Sequence, residues 1–277
     1  MSVHITTQAT VITEQGSLDY ARIGYENLFR TGTASASSAG ATFPADAPQR
    51  SNSYEQWQPT SVQAWWQVDL GSAQSVNYVG IGAHNLGSNA CQVTVQYSSD
   101  GSSWSDASDP AIPSDDSAML FLFPAQSARY WRLLIDGVGS PTESVVDNPK
   151  LGSIYGGTVL VMPRSLYGGQ SPIKLARETE LMRPLSTGGQ FLNQTYRRRG
   201  YTAALGPWRF LSPSWYRTYF DPFVEEARKE AFFISWRPGD YPDEVLYAWM
   251  EGDVAPSNMG QREYMQVSIN VRGLDDE

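Results

Sequence analysis

Asn52, Tyr54, Glu55, Gln56 and Trp57 crowd two aromatic rings and three amide or carboxylate side chains into six residues. A flat ring suits the apolar face of a pyranose, and amides and carboxylates read its hydroxyls, so this grouping fits sugar recognition. A plainer reading stands beside it: Trp57 caps the core and the polar residues are loop surface. His84 and Asn85 follow the apolar run Val79 to Ile81 and open a loop that continues to Asn89. There His84 either hydrogen-bonds a ligand hydroxyl or serves as a satisfied structural histidine. Asn52, Tyr54, Gln56, Trp57, His84 and Asn85 are the candidate ligand-binding residues.

Catalytic chemistry finds less material. Asp240, Asp243, Glu244, Glu251 and Asp253 lie close in sequence, and a glycosidase needs two carboxylates facing each other across a cleft. These acids sit among Pro and Gly, as solvated loop acids do. The sequence holds no nucleophile elbow, no Walker loop and no traceable Ser-His-Asp set. Two histidines (His4, His84) and the single Cys91 cannot supply the usual zinc ligands. The expectation is therefore no catalytic residue, no metal and no cofactor, with Cys91 an inert buried thiol. A formal net charge of -9 argues against a nucleic-acid binder. Arg197-Arg198-Arg199-Gly200 is the one dense basic run, read as a solvated turn or as a patch that docks an acidic neighbour. No signal-peptide pattern opens the sequence and no apolar run approaches membrane-spanning length, so neither secretion by signal peptide nor membrane insertion is expected.

The elements that must position these residues read as short strands. Trp66, Val68 and Leu70 alternate with Gln67 and Asp69, the period of a strand with one buried face. Gly71-Ser72 is expected to end that strand, and Val76, Tyr78 and Val79 to begin another. Val93 to Ser98, the turn Asp100-Gly101, Trp104 and the run Arg129 to Ile135 follow. Strands of this kind closed by Gly, Asp and Ser turns predict a sandwich or barrel.

Four of these pieces occur in a telling order: a tryptophan-rich strand ending in V-D-L-G, a Y-S-x-D-G-x-x-W hairpin, an A-R-Y-x-R strand and a closing I-Y-G. Together they resemble the discoidin domain (factor 5/8 C-type) over roughly Asn27 to Gly157. The resemblance implies an eight-stranded jelly-roll that binds sugars, lipid head groups or proteins through loops at one end. In such a domain the segment from Asn27 to Thr60 would give a first strand and then binding loops. Relatives often hold calcium and carry a cysteine pair that staples the ends. Here no acid lies in Leu151-Gly152-Ser153 before Ile154-Tyr155-Gly156, and Cys91 is alone, which argues for a weak calcium site at best and for folding in a reducing compartment.

The fold class expected is mainly β: a discoidin-like jelly-roll β-sandwich plus a second β-rich domain with one or two short helices. Residues 1–26 read as an N-terminal arm, contact-making or frayed, in which Val3, Ile5 and Thr7, and then Val11 and Thr13, alternate weakly. Residues 27–157 form the sandwich and 158–277 the second domain. Ser212-Pro213-Ser214-Trp215 reads as a helix start, and Asp221-Pro222 as a second with Asp at N-cap and Pro at N1. Phe232 to Trp236 reads as a buried strand, Val245 to Trp249 as another, and Tyr264 to Leu274 alternates.

The flow of this second half, from M-P-R through D-P-F and P-G-D-Y-P-x-E-V to V-S-I-N-V-R-G-L, is similar to virion structural proteins of tailed bacteriophages. That resemblance implies a ring-forming assembly domain at the tail, tail tip or baseplate, made in the bacterial host cytoplasm and localised in the virion. Its partners would be copies of itself, neighbouring virion proteins and host surface glycan. The first alternative is a free, lectin-like carbohydrate-binding protein. The second is an envelope-degrading glycoside hydrolase.

Overall fold

The computed structural model describes residues 3–5, 17–137, 148–260 and 262–274, so the expected alternation at Val11 and Thr13 lies outside the described residues. The strands in order are β1 (Val3–Ile5), β2 (Arg22–Gly24), β3 (Thr33–Ala36), β4 (Ala64–His84) and β5 (Cys91–Ser98). Then come β6 (Ser105–Asp106), β7 (Met119–Gly137), β8 (Leu151–Gly157), β9 (Leu160–Val161) and β10 (Arg177–Met182). The rest are β11 (Thr195–Leu211), β12 (Phe232–Ser235), β13 (Val245–Met250), β14 (Ser257–Asn258) and β15 (Met265–Gly273). They build a seven-stranded and an eight-stranded sheet, so the protein is mainly β as expected.

β4 and β7 organise the first sheet. They pair antiparallel from Ala64↔Ile135 to Ile81↔Met119, with register slips at Asp69/Gln74 and Val76/Tyr78. The first slip falls where the sequence predicted a strand end, and β4 instead runs on through a bulge. Gly71 makes this possible: at φ +76° its backbone is left-handed, and its N–H donates to Asp69 Oδ1 at 2.8 Å. Arg129 clamps the bend with Nε and Nη2 on the two Asp69 carboxylate oxygens at 2.7 and 2.8 Å. That hydrogen bonding holds the Asp69 carboxyl below its usual range.

The bends fold this sheet into two facing layers. β3, the first half of β4, the second half of β7, β5 and β6 make one layer; β8, the second half of β4, the first half of β7 and β1 make the other. Trp66, Val68, Trp131 and Leu133 pack with Val79, Ile81, Phe121 and Phe123 in the core between them. The Trp131 and Phe123 rings stack at 5.7 Å.

The second sheet runs β10-β11-β15-β13-β12-β2-β9, with β14 beside β15. Its centre is buried on both faces, which explains the unbroken apolar run at Phe232 to Ile234. Phe232 and Ile234 pack with Trp208, Phe220, Phe223 and Val267, while Phe233 belongs to a separate core. β13 divides likewise, with Leu246 and Ala248 on one side and Val245 and Tyr247 on the other.

One helical stretch covers this sheet. Pro213–Trp215, Tyr216–Phe220 and Asp221–Ala227 run on without a break, the middle segment as a π turn. Ser212 caps it as expected, accepting from Trp215 N at 3.1 Å. Asp221 does not cap a second helix, because its backbone is already helical (φ -61°, ψ -43°). The wider turn before Pro222 accommodates the missing proline N–H without ending the helix. The basic run is also not a turn. Arg197 and Arg198 lie within β11 opposite Glu180 and Thr179 of β10.

A third core joins the sheets. Tyr78, Leu120, Leu122 and Tyr155 of the first pack with Phe233, Val245 and Tyr247 of the second. Gly80 sits at the closest approach: a Cβ there would lie 2.5 Å from the Phe233 ring. The residues expected as a lead-in arm also join the sheets. Val3↔Leu120 pairs β1 with β7, and β2 lies between β12 and β9. Val3 and Ile23 are both buried, and open strand edges offer their backbones the hydrogen bonds that burial demands.

Candidate functional site

The loop between β3 and β4 carries the site. A 3₁₀ turn at Ala47–Gln49 roots it, and the Gln49 side chain donates to Phe29 O at 2.6 Å and Gly32 O at 2.8 Å. Beyond this root Arg50 reaches two acids. Nη2 donates to Asp46 at 3.0 Å and Nη1 to Glu55. Asn52 completes the set: its Nδ2 donates to Glu55 Oε2 at 2.7 Å and its Oδ1 accepts from Glu55 N at 2.9 Å. Hydrogen bonds from Arg50 and then Asn52 hold the Glu55 carboxyl below its usual range, so it stays an acceptor. Tyr54 stands beside them with 81% of its surface exposed. A hollow of about 380 Å³ opens here, with Asp46, Arg50, Ser51 and Asn52 on the loop side and Arg30 and Glu230 opposite.

Both sheets hold this loop from beneath, through Tyr247 on β13 and Ser153 on β8. Tyr247 Oη donates to Ser51 O at 2.7 Å. Ser153 Oγ lies 2.9 Å from Arg50 O, 3.1 Å from Asn52 O and 3.1 Å from Tyr247 Oη. Because the tyrosine proton goes to Ser51, the serine hydroxyl has Tyr247 as an acceptor or either carbonyl as its partner. Two hydroxyls thus hold the backbone of residues 50–52 from below, Tyr247 donating to Ser51 O and Ser153 placed to donate to Arg50 O or Asn52 O, while Tyr54 projects outward.

Of the six candidate residues, Asn52, Tyr54 and Gln56 share this loop, with Gln56 Nε2 3.5 Å from Ser53 O. The other three do structural work. Trp57 is fully buried, its Nε1 donates to Ser38 O at 2.9 Å, and its backbone pairs both ways with Leu151. No ring face is left for a sugar, which corrects its expected role. His84 is 5% exposed, with Nε2 2.9 Å from Ser117 O and Nδ1 accepting from Leu86 N at 3.3 Å. Burial pushes its pKa down to about 4, so it is a neutral splint and not a ligand group. Asn85 accepts from Lys150 N at 2.5 Å and donates to Asn148 O at 3.3 Å, tying two loops together. Both fail as ligand groups for one reason: their polar atoms are spent on backbone inside the loop base.

Arg50 and Asp46 were not among the candidates. Their role depends on a loop closing back on itself, which leaves no period in the sequence. Three of the acids of the second half have partners. Glu244 accepts from Trp236 Nε1, Asp240 pairs with Arg237, and Asp253 pairs with Arg228 at 3.2 Å. The quoted sequence motifs also prove structural. Asp100 accepts from the backbone N–H groups of Ser103 and Ser102, both at 2.8 Å, and its carboxyl falls to about 2. Arg132 lies over the Trp104 ring at 4.1 Å.

No curated protein matches this sequence. Among solved structures, chitosan-binding module 1 from a chitosanase/glucanase of Paenibacillus sp. IK-5 is 26% identical, with 48% of this chain and 99% of that one covered and a TM-score of 0.41. Chitosan-binding module 2 of the same enzyme, in complex with chitotriose, is 19% identical, covering 48% and 100% at a TM-score of 0.40. A GH29 fucosidase of Ruminococcus gnavus in complex with fucose is 13% identical, covering 49% of this chain and 27% of that one at 0.40. The family model of the F5/8 type C domain matches residues 32–145, the stretch that holds β3 to β7 and the Arg50–Tyr54 loop, and this part of the chain is an F5/8 type C domain.

Proposed function

We propose that the protein is a non-catalytic carbohydrate-binding protein, and that its F5/8 type C domain takes sugar at the loop of Arg50, Asn52, Tyr54 and Glu55. One observation carries the reading: an exposed tyrosine ring beside a networked set of planar polar side chains. The ring covers an apolar pyranose face, while Arg50 keeps N–H groups to spare for hydroxyls and Glu55 accepts from them. Preformed pairing within the loop lowers the cost of ordering these groups when sugar binds.

A glycan array followed by titration calorimetry on the full chain tests this. Arg50→Ala is expected to weaken binding by about 2 kcal/mol, near thirtyfold, as loss of a charged hydrogen-bond donor. Tyr54→Ala is expected to cost about tenfold through its lost ring contact. Neither should move the melting temperature much, since Tyr54 is exposed and Arg50 sits on the surface. An array without a hit, or a hit that ignores both substitutions, would sink the proposal.

A second reading, assembly into a ring of a tailed-phage virion with residues 158–277 as the assembly domain, draws on a different observation. β10 is the outer strand of the second sheet, and its hairpin with β11 exposes Leu181, Met182, Leu185, Phe191, Leu192 and Tyr196. An unpaired edge flanked by apolar side chains favours pairing with another copy. Analytical ultracentrifugation should then find a closed oligomer that Leu185→Asp with Phe191→Asp dissociates. A monomer at high concentration argues against this reading and leaves the carbohydrate one intact.

A further inference from the structure

We infer that the ligand is an oligosaccharide and not a single sugar, and that the half of the molecule built on the second sheet supplies the subsites beyond the first. The inference rests on the carbohydrate reading above. The hollow at Arg50 does not stand by itself, because Ser51 and Glu230 also border two further hollows. One, of about 250 Å³, lies between Tyr25, Tyr155 and Glu226. The other, of about 440 Å³, is walled by Arg228, Lys229, Trp249 and Asp253. The first falls below the roughly 300–1,000 Å³ of common ligand sites and the second at its lower end, and in succession with the hollow at Arg50 they suit a ligand made of repeated units.

Trp249 gives the large hollow its chemistry. On β13, Ala248 points into one core, so alternation puts Trp249 on the face of Val245 and Tyr247; it is not part of their core and is 38% exposed. Around it Arg228 pairs with Asp253 at 3.2 Å and Lys229 with Glu226 at 3.6 Å. Such solvent-exposed pairs contribute little to stability and can re-partner with hydroxyls at small cost. An indole face rimmed by switchable polar groups repeats, across the seam, the arrangement at Tyr54. A nucleic acid is a poor alternative for a chain of formal net charge -9. The seam also holds a register between the two ring faces, since Tyr247 fixes Ser51 and a buried core of Tyr78, Tyr155, Phe233 and Tyr247 joins the sheets.

The test is affinity against chain length on the full protein. The probes are β-1,4-linked glucosamine, N-acetylglucosamine and galactose series from monosaccharide to hexasaccharide, together with the best hit of the array and its shorter fragments. Affinity is expected to rise at least tenfold from monosaccharide to tetrasaccharide. Trp249→Ala should abolish that gain and leave the monosaccharide constant unchanged, Trp249→Phe should restore most of it, and Tyr54→Ala should weaken every member alike. Equal affinity for monosaccharide and hexasaccharide, or a length gain untouched by Trp249→Ala, overturns this inference and spares the carbohydrate reading. Binding by no probe overturns both.

Discussion

Gly80→Val is expected to destabilise the protein by about 3 kcal/mol, the upper end for overpacking a closed core. For a chain of this size that is a fall of roughly 6–10 °C in melting temperature. The ring that blocks the new side chain has nowhere to go. A Cβ at position 80 meets Phe233 Cδ2 at 2.5 Å and Cε2 at 2.6 Å. Phe233 is fully buried, edge-on to Tyr155 at 5.4 Å and against Tyr247 at 4.8 Å. The wild-type protein should melt in one calorimetric transition, because the core at Phe233 joins both sheets. Gly80→Val should pry the sheets apart and split that transition. Shrinking the ring as well, in Gly80→Ala with Phe233→Leu, should cost less than the sum of the single changes. A wild-type protein that already melts in two steps, or a valine variant as stable as its parent, would refute this account of the seam.

Trp57→Ala should separate folding from binding in the opposite sense to Tyr54→Ala. Removing a fully buried indole costs about 3–5 kcal/mol, and here the carbonyl of Ser38 also loses its donor. The expected result is a large drop in denaturant midpoint, while sugar affinity measured on the folded fraction at low temperature changes only a few-fold. Tyr54→Ala should leave the midpoint in place and weaken the affinity about tenfold. If Trp57→Ala proved as stable as wild type and yet failed to bind, the indole would have to face the ligand after all, and the site would need to be redrawn.

Much of the architecture was legible locally. Alternation at Trp66, Val68 and Leu70 marked a strand with one buried face, and the apolar run Phe232 to Ile234 marked one with two. The ordered pieces from V-D-L-G to I-Y-G pointed to the domain that the family model also finds. Ser212 announced the helix start it caps. Where local reading went astray, a distant partner had intervened. Gly71-Ser72 looked like a strand end, but Arg129, 60 residues on, clamps Asp69 and the strand continues through the bulge. Trp57 and His84 each carried two readings, ligand group or structural residue, because aromatic and imidazole side chains in polar loops serve as either. Burial against Leu151 and Ser117 assigned them to the scaffold.

What the sequence determined by itself was the set of strands, their buried faces and the kind of domain they make, because period and turn chemistry act over a few neighbouring residues. Which loop residues stay free for a ligand was decided only in three dimensions. Tyr247 reaches Ser51 across 196 residues of chain, and Glu230 meets Arg30 across the seam between the sheets. Hydrogen bonds of that kind are set by which layers stack on which, and burial, which no stretch of sequence carries alone, fixes whether a polar group recognises a ligand or holds the fold.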